Sequence, residues 1–307
     1  MPAVSHIPVS RAESGQKLLQ FLERQLQGRV PRSAIMRWIR TGQVRVDGAR
    51  WKPFARISQG QTVRLPPYTQ AEETKGLSEL SANPFALRRV YEDDGVLVLA
   101  KPPNLATQPG TGVEDSVSDR LESEYAHSSW VPALVHRLDK ATSGLLLVAK
   151  TYTTLQHLQG LWRSGSVTKI YLTWVWGQPD WPEWKRLFDF LPQEKKGHQR
   201  QVRAEAWART LRQNPQAALL AVRLITGRKH QIRIQLSKRG YPVVGDRKFG
   251  TGQSGGQGLL LHAAVLGWEN RCYQLAPPWV EHFAVSEQEL ASLVTYSHGA
   301  PSPCFNI

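Results

Sequence analysis

Six short apolar runs, at residues 90–91, 96–100, 145–148, 171–175, 219–225 and 259–266, constrain this chain more than any other feature. Each is shorter than a usual core helix and ends at polar or turn-forming residues, as Asp93-Asp94-Gly95 separates the first two. That is the pattern of buried β-strands. Helical spacing intervenes near residues 116–125, 154–163 and 286–294. Strands outnumbering a few interspersed helices predict an α+β domain on a mixed, largely antiparallel sheet, spanning residues 85–296.

Upstream the pattern changes. Residues 1–15 lack sustained periodicity and are expected to form a disordered tail. Leu18, Leu19, Phe21, Leu22 and Leu26 then recur at helical spacing. A second helix carrying Ile35, Met36 and Ile39 is expected between a Ser33 cap and Gly42. Val44 and Val46 alternate with polar residues up to Asp47-Gly48, a hairpin signal. Residues 16–65 thus read as a small domain of helix, helix and hairpin. Pro66-Pro67, Glu72-Glu73 and several Ser and Thr make 66–84 a linker, and 297–307 is expected to be a C-terminal tail.

Charge points to the partner. The formal net charge is +14 and the isoelectric point near 10.0, so the folded chain attracts polyanions. The small domain holds eleven Lys or Arg against Glu23 and Asp47 alone, a net nine of those fourteen charges. Arg32, Arg37, Arg40 and Arg45 gather around its second helix and strand, where guanidinium forks suit phosphate oxygens. RNA or DNA is the expected ligand. A membrane is not, because no run approaches the roughly 18 apolar residues of a spanning helix. Two cysteines, Cys272 and Cys304, make no disulfide framework, and no HExxH or close His/Cys cluster offers a metal site. A cytoplasmic, monomeric protein without metal or cofactor is expected.

The segment from 16 to 65 resembles the RNA-binding module named after ribosomal small-subunit protein S-four, through Leu18, Phe21, Leu22, Ser33, Ile39, Gly42, Val44, Val46, Gly48 and residues 60–63. Further on, His136-Arg137-Leu138-Asp139 and Thr142-Ser143-Gly144 precede the apolar run at 145. Read alone, such an Asp caps a turn or pairs with its neighbouring Arg as readily as it attacks a substrate. Several motifs in one order carry a stronger signal. Together with that segment, Lys169, Tyr171, Val175 and Gly177, then Thr226-Gly227-Arg228-Lys229-His230-Gln231-Ile232-Arg233, Gly240, Pro242 and Gly245-Asp246, then Leu261-His262-Ala263, resemble the large bacterial family of RNA pseudouridine synthases. The resemblance extends over about 85–279.

The resemblance implies that Asp139 is the nucleophile and that Tyr171 lies against the target uracil. A guanidinium beside Asp139 would hold it charged in a dry pocket, and Arg233 is the first candidate, Arg228 the second. His136, Arg137, Lys169, Arg228 and Leu261 are expected at the substrate, with Arg32, Arg37 and Arg40 as RNA contacts of the first domain. The domain pairing resembles that of members acting on ribosomal RNA, so large-subunit ribosomal RNA is favoured over transfer RNA. A non-catalytic ribosome-assembly role is the other alternative. The chain departs from common family usage at Asn104, Gln108, Thr173, Gln235 and Phe249.

Overall fold

The computed structural model describes residues 4–26, 30–68, 87–110, 113–126, 128, 130–195, 198–250, 256 and 258–295. Most of the expected linker (66–84) and all of the expected C-terminal tail (297–307) lie outside these residues. The first part comprises β1 (Ser5–Pro8), α1 (Leu18–Gln25), α2 (Arg32–Thr41), β2 (Arg45–Val46) and β3 (Thr62–Leu65). It holds its own core, in which Leu18, Phe21, Leu22, Ile35, Ile39, Val63 and Leu65 are buried.

Two sequence expectations need correction here. Residues 5–13, expected in a disordered tail, are ordered: β1 pairs antiparallel with β3 from Ser5↔Leu65 to Pro8↔Thr62. Val9 is buried in the first core, and the Ser10 N–H and Oγ both bond Glu13 Oε2, at 2.9 and 2.7 Å. One strand of four residues is too short to show a period. Pro31, not Ser33, caps α2, its ring fixing φ at −59°. Asp47 and Gly48 turn as expected, at φ 48° and 79°, with Val46 and Ala49 exchanging both backbone hydrogen bonds across them; β2 also pairs with β3, giving the order β1-β3-β2.

The second part carries β4 (Arg88–Glu92), β5 (Val96–Lys101), α3 (Val117–Glu124), β6 (Ala133–Leu134), β7 (Ser143–Ala149), α4 (Tyr152–Ser164), β8 (Val167–Trp176), β9 (Lys185–Lys195), β10 (His198–Gln213), β11 (Ala217–Leu224), α5 (Gln231–Ser237), β12 (Leu261–Trp268), β13 (Arg271–Gln274) and α6 (Glu287–Thr295). Its ten-stranded sheet runs β4-β5-β7-β12-β8-β11-β10-β9, with β6 on β7 and β13 on β12. Every pairing is antiparallel except β7 with β12. β7 is buried along its whole length, each aliphatic side chain contributing roughly 1.5–3 kcal/mol.

That parallel junction fixes the loop before β7. Gly144 lies at φ 117° and opposite Ala263, so close that a Cβ there would stand 2.4 Å from Ala263 O. Only glycine tolerates both constraints. The long β9–β10 hairpin and α5 carry no clear sequence signal. On β10, alanines 204, 206 and 208 bury one face while Arg203, Glu205, Trp207 and Arg209 occupy the other.

The two parts touch. Arg24 of α1 places its guanidinium 3.6 Å from the centre of the Trp130 ring and donates to Val131 O at 2.7 Å. Tyr152 Oη donates to Gln20 Oε1 at 3.2 Å.

Candidate active site

Asp139 sits in the loop between β6 and β7, and the chain grips that loop by its backbone on both sides of the carboxylate. Before it, Thr107 Oγ1 donates to Leu138 O at 2.6 Å and accepts from Leu138 N at 3.1 Å. After it, the buried Lys101 Nζ donates to Lys140 O at 3.1 Å and to Pro102 O and Leu105 O at 2.8 Å each. Burial pushes the Lys101 pKa down to about 7, with the charge of Asp139 acting against the shift. Leu138 points into the core, 4 % exposed, so Asp139 projects from a loop with little freedom to move.

It projects into a cavity of about 370 Å³ lined by the Asp139 loop, Trp162 of α4, Lys169 and Tyr171 of β8, Leu224 of β11, Leu261 of β12, and the turn of residues 227–230 with the start of α5. Among the lining residues Asp139 is the single acid. Tyr171 occupies the floor, opposite Val222 of β11 and Ala263 of β12. Burial, with Asp139 second, raises its pKa, which keeps the hydroxyl protonated. His136 is held by Leu147 N–H donating to Nε2 at 3.0 Å and by stacking on Trp162 at 4.2 Å. Burial, then Lys169, lowers its pKa to about 3, so it is a neutral ring in the cavity lining. Burial also lowers the pKa of Lys169, whose Nζ is 5.1 Å from the Trp162 ring centre.

The facing wall is shaped by Gln231. Its Oε1 accepts from Thr226 Oγ1 and Arg228 N–H, at 2.8 and 3.0 Å, and its Nε2 donates to Glu205 O. His230 takes a left-handed conformation, φ 55°, which turns its ring toward the loop opposite. Its Nε2 stands 3.9 Å from Asp139 Oδ2. Burial lowers the His230 pKa, with Asp139 opposing.

Arg233 lines this cavity, but its fork is committed elsewhere: Nε and Nη2 bond Asp246 Oδ2 and Oδ1 at 2.7 and 2.6 Å. The expected Arg233 pairing with Asp139 is therefore corrected. Among the described residues, His230 is the basic group within ion-pair distance of Asp139. Arg137, Arg228 and Leu261 line the cavity as expected, whereas Arg32, Arg37 and Arg40 are exposed on α2 of the first part. Thr107, His230 and Trp162 were not singled out from sequence. Thr107 lies 31 residues from its partner, and nothing local marks such a contact.

Residues 95–238 match the family model described as RNA pseudouridylate synthase. A relative named ribosomal large subunit pseudouridine synthase C, from Vibrio parahaemolyticus, is 32 % identical over 95 % of this chain and 96 % of its own length. This chain belongs to the RNA pseudouridine synthases. The family's enzymes isomerise uridine in RNA. The Escherichia coli K12 protein of the same name is 35 % identical over 86 % of the synthase and 88 % of itself. A solved structure titled human RNA pseudouridylate synthase domain containing 1 shares the fold, with TM-score 0.55 and 20 % identity over 68 % of the synthase and 94 % of that chain.

The synthase's departures from common usage have visible structural roles. Gln235 Nε2 donates to Asp189 Oδ2 at 2.8 Å and Leu187 O at 3.1 Å, with Ala204 O at 3.3 Å sharing a hydrogen, tying α5 to the β9–β10 hairpin. Phe249 packs its ring 5.1 Å from the Arg233 guanidinium, and Thr173 Oγ1 donates to Leu260 O at 2.9 Å.

Proposed function

We propose that this synthase converts uridine to pseudouridine in large-subunit ribosomal RNA, with Asp139 as nucleophile, acting as a cytoplasmic monomer. The observation that carries the reading is a lone carboxylate, held by backbone clamps, in a cavity of about 370 Å³ floored by Tyr171. The names of the two relatives support the ribosomal substrate.

The reaction breaks the bond from N1 of uracil to the ribose and rejoins the ribose to carbon 5, which then loses its proton. No redox change occurs. An ionised carboxylate supplies the nucleophile, and a site sheltered from water favours attack. The base must first leave its stack, at a cost of a few kcal/mol that the ring of Tyr171 offsets. Arg137 and Arg228 at the cavity rim suit the flanking phosphates.

Tritium release from carbon 5 of labelled uridine tests this, using ribosomal and transfer RNA transcripts with wild type and Asp139→Asn. Release from ribosomal RNA by wild type alone is expected, with RNA affinity retained in the variant. Full turnover by Asp139→Asn would refute the nucleophile, and preference for transfer RNA would refute the substrate.

A further inference from the structure

Among the described residues six large apolar side chains are exposed, and three of them, Phe188, Phe190 and Ile225, lie together. Phe188 of β9 stands opposite Glu205 of β10, and Phe190 opposite Arg203. Ile225 N–H donates to Glu205 O, extending the β10–β11 ladder one residue past Ala206↔Leu224. By the two-residue period of strands, these side chains share the face opposite the buried Leu187 and Leu191. The two rings meet edge to face with centroids 5.6 Å apart, yet remain 41 % and 56 % exposed.

The patch is also positive. The guanidinium groups of Arg186 and Arg203 lie 5.2 and 5.7 Å from the Phe188 ring centre. Both pair with the same Glu205, so two cations share one anion. β9 is the sheet's edge strand, and an exposed aromatic pair there marks a contact surface. Its chemistry is specific: aromatic rings interleaved with guanidinium groups suit unpaired bases, whose faces stack while their phosphates pair with arginine. The patch adjoins the cavity through Arg228, which lines the cavity and donates from Nε to Arg203 O at 2.8 Å. β9, β10 and the turn after β11 are neighbouring lanes about 5 Å apart, and the rings lie on the sheet face opposite the Leu187 and Tyr171 cluster, so the strand rounds the end of β10 to reach them.

We propose that Phe188 and Phe190, with Ile225, Arg186 and Arg203, form a stacking platform for unpaired bases in the RNA strand flanking the target uridine. The placement rests on the reading that the cavity takes a uridine of RNA. The strand leaves the cavity past Arg228 and crosses the end of β10 onto the two rings.

Binding and turnover test the platform separately, using the full chain. Fluorescence anisotropy with a labelled single-stranded oligouridylate compares wild type, Phe188→Ala/Phe190→Ala and Phe188→Leu/Phe190→Leu. Affinity falls about tenfold or more in both double variants, with unchanged melting temperature because the rings are exposed. Affinity within about twofold of wild type in either variant overturns the platform; retention by the leucine variant alone would mean that apolar area suffices. Tritium release by wild type is read alongside. Ring-dependent binding without any release sinks the uridine reading and keeps the platform, whereas release with ring-independent binding sinks only the platform.

Discussion

Asp246→Asn removes the charge that Arg233 is built around. The Asp246 side chain is fully buried and that of Arg233 is 10 % exposed, so the variant leaves a guanidinium in the interior without its counter-ion. Removing one partner of a buried pair costs about 3–5 kcal/mol. The lower end applies, because asparagine Oδ1 can still accept from Lys248 N–H and Phe249 N–H, which bond Asp246 Oδ1 at 2.9 and 3.0 Å. At about 2–4 °C per kcal/mol for a domain of this size, the melting temperature should fall by about 6–12 °C at pH 7. The pH dependence has a definite sign. Burial opposes ionisation of Asp246, but Arg233 and the two amides outweigh it and hold its pKa below the usual carboxylate value. Its stabilisation is therefore present above about pH 4 and lost as pH falls through the lower folded value. Calorimetric melts should show the two proteins converging at low pH. A loss below about 1 kcal/mol, or a gap that persists in acid, would refute the reasoning. Arg233→Met with Asp246→Asn should recover stability, since asparagine keeps both amide bonds and no unpaired guanidinium remains, while leaving tritium release impaired, because the guanidinium at the cavity is gone.

Gly144→Ala should lower turnover by at least about tenfold, since the new methyl forces β7 from β12 beneath the Asp139 loop and adds about 1–2 kcal/mol of backbone strain; near wild-type single-turnover rates would contradict this. Arg24→Ala should cost about 2 kcal/mol of docking between the two parts, from the lost stacking on Trp130 and the bond to Val131 O. Hydrogen exchange at residues 130–134 reads it out, and unchanged protection would count against the contact. His230 has a lowered pKa, so it is neutral at pH 7 and gains a proton only in acid. His230→Gln should abolish a fall in kcat on the acid side, below the usual imidazole value, and a surviving acid limb would assign that limb to another group.

The sheet was legible because strands such as β7 and β12 are buried on both faces and therefore read as continuous apolar runs. β9 and β10 were not: on β9 the exposed Phe188 and Phe190 alternate with the buried Leu187 and Leu191 and blur the period of two, and on β10 the buried face is marked only by small alanines. The Asp139 loop could be located from its own residues and the family resemblance. Its clamps could not: Lys101 and Thr107 reach Lys140 and Leu138 across 39 and 31 residues. The same limit explains Arg233. Its place at the cavity was legible from the motif, but Asp246, 13 residues on, competes for the fork only once α5 and the following turn have packed together.

The Arg24 contact also alters how the two parts of the chain add up in binding. A basic domain swinging on a tether would deliver its contacts at an effective concentration set by the volume that the tether explores. Docked on Trp130, Val131 and Tyr152, the domain holds Arg32, Arg37 and Arg40 at a set distance from Asp139, and the orientational entropy is surrendered in folding, before any RNA arrives. On the proposal that Arg32, Arg37 and Arg40 contact RNA phosphates, the two surfaces work as a gauge. An RNA whose folded shape spans both gains the sum of their contacts, and one that reaches only the cavity gains that part alone.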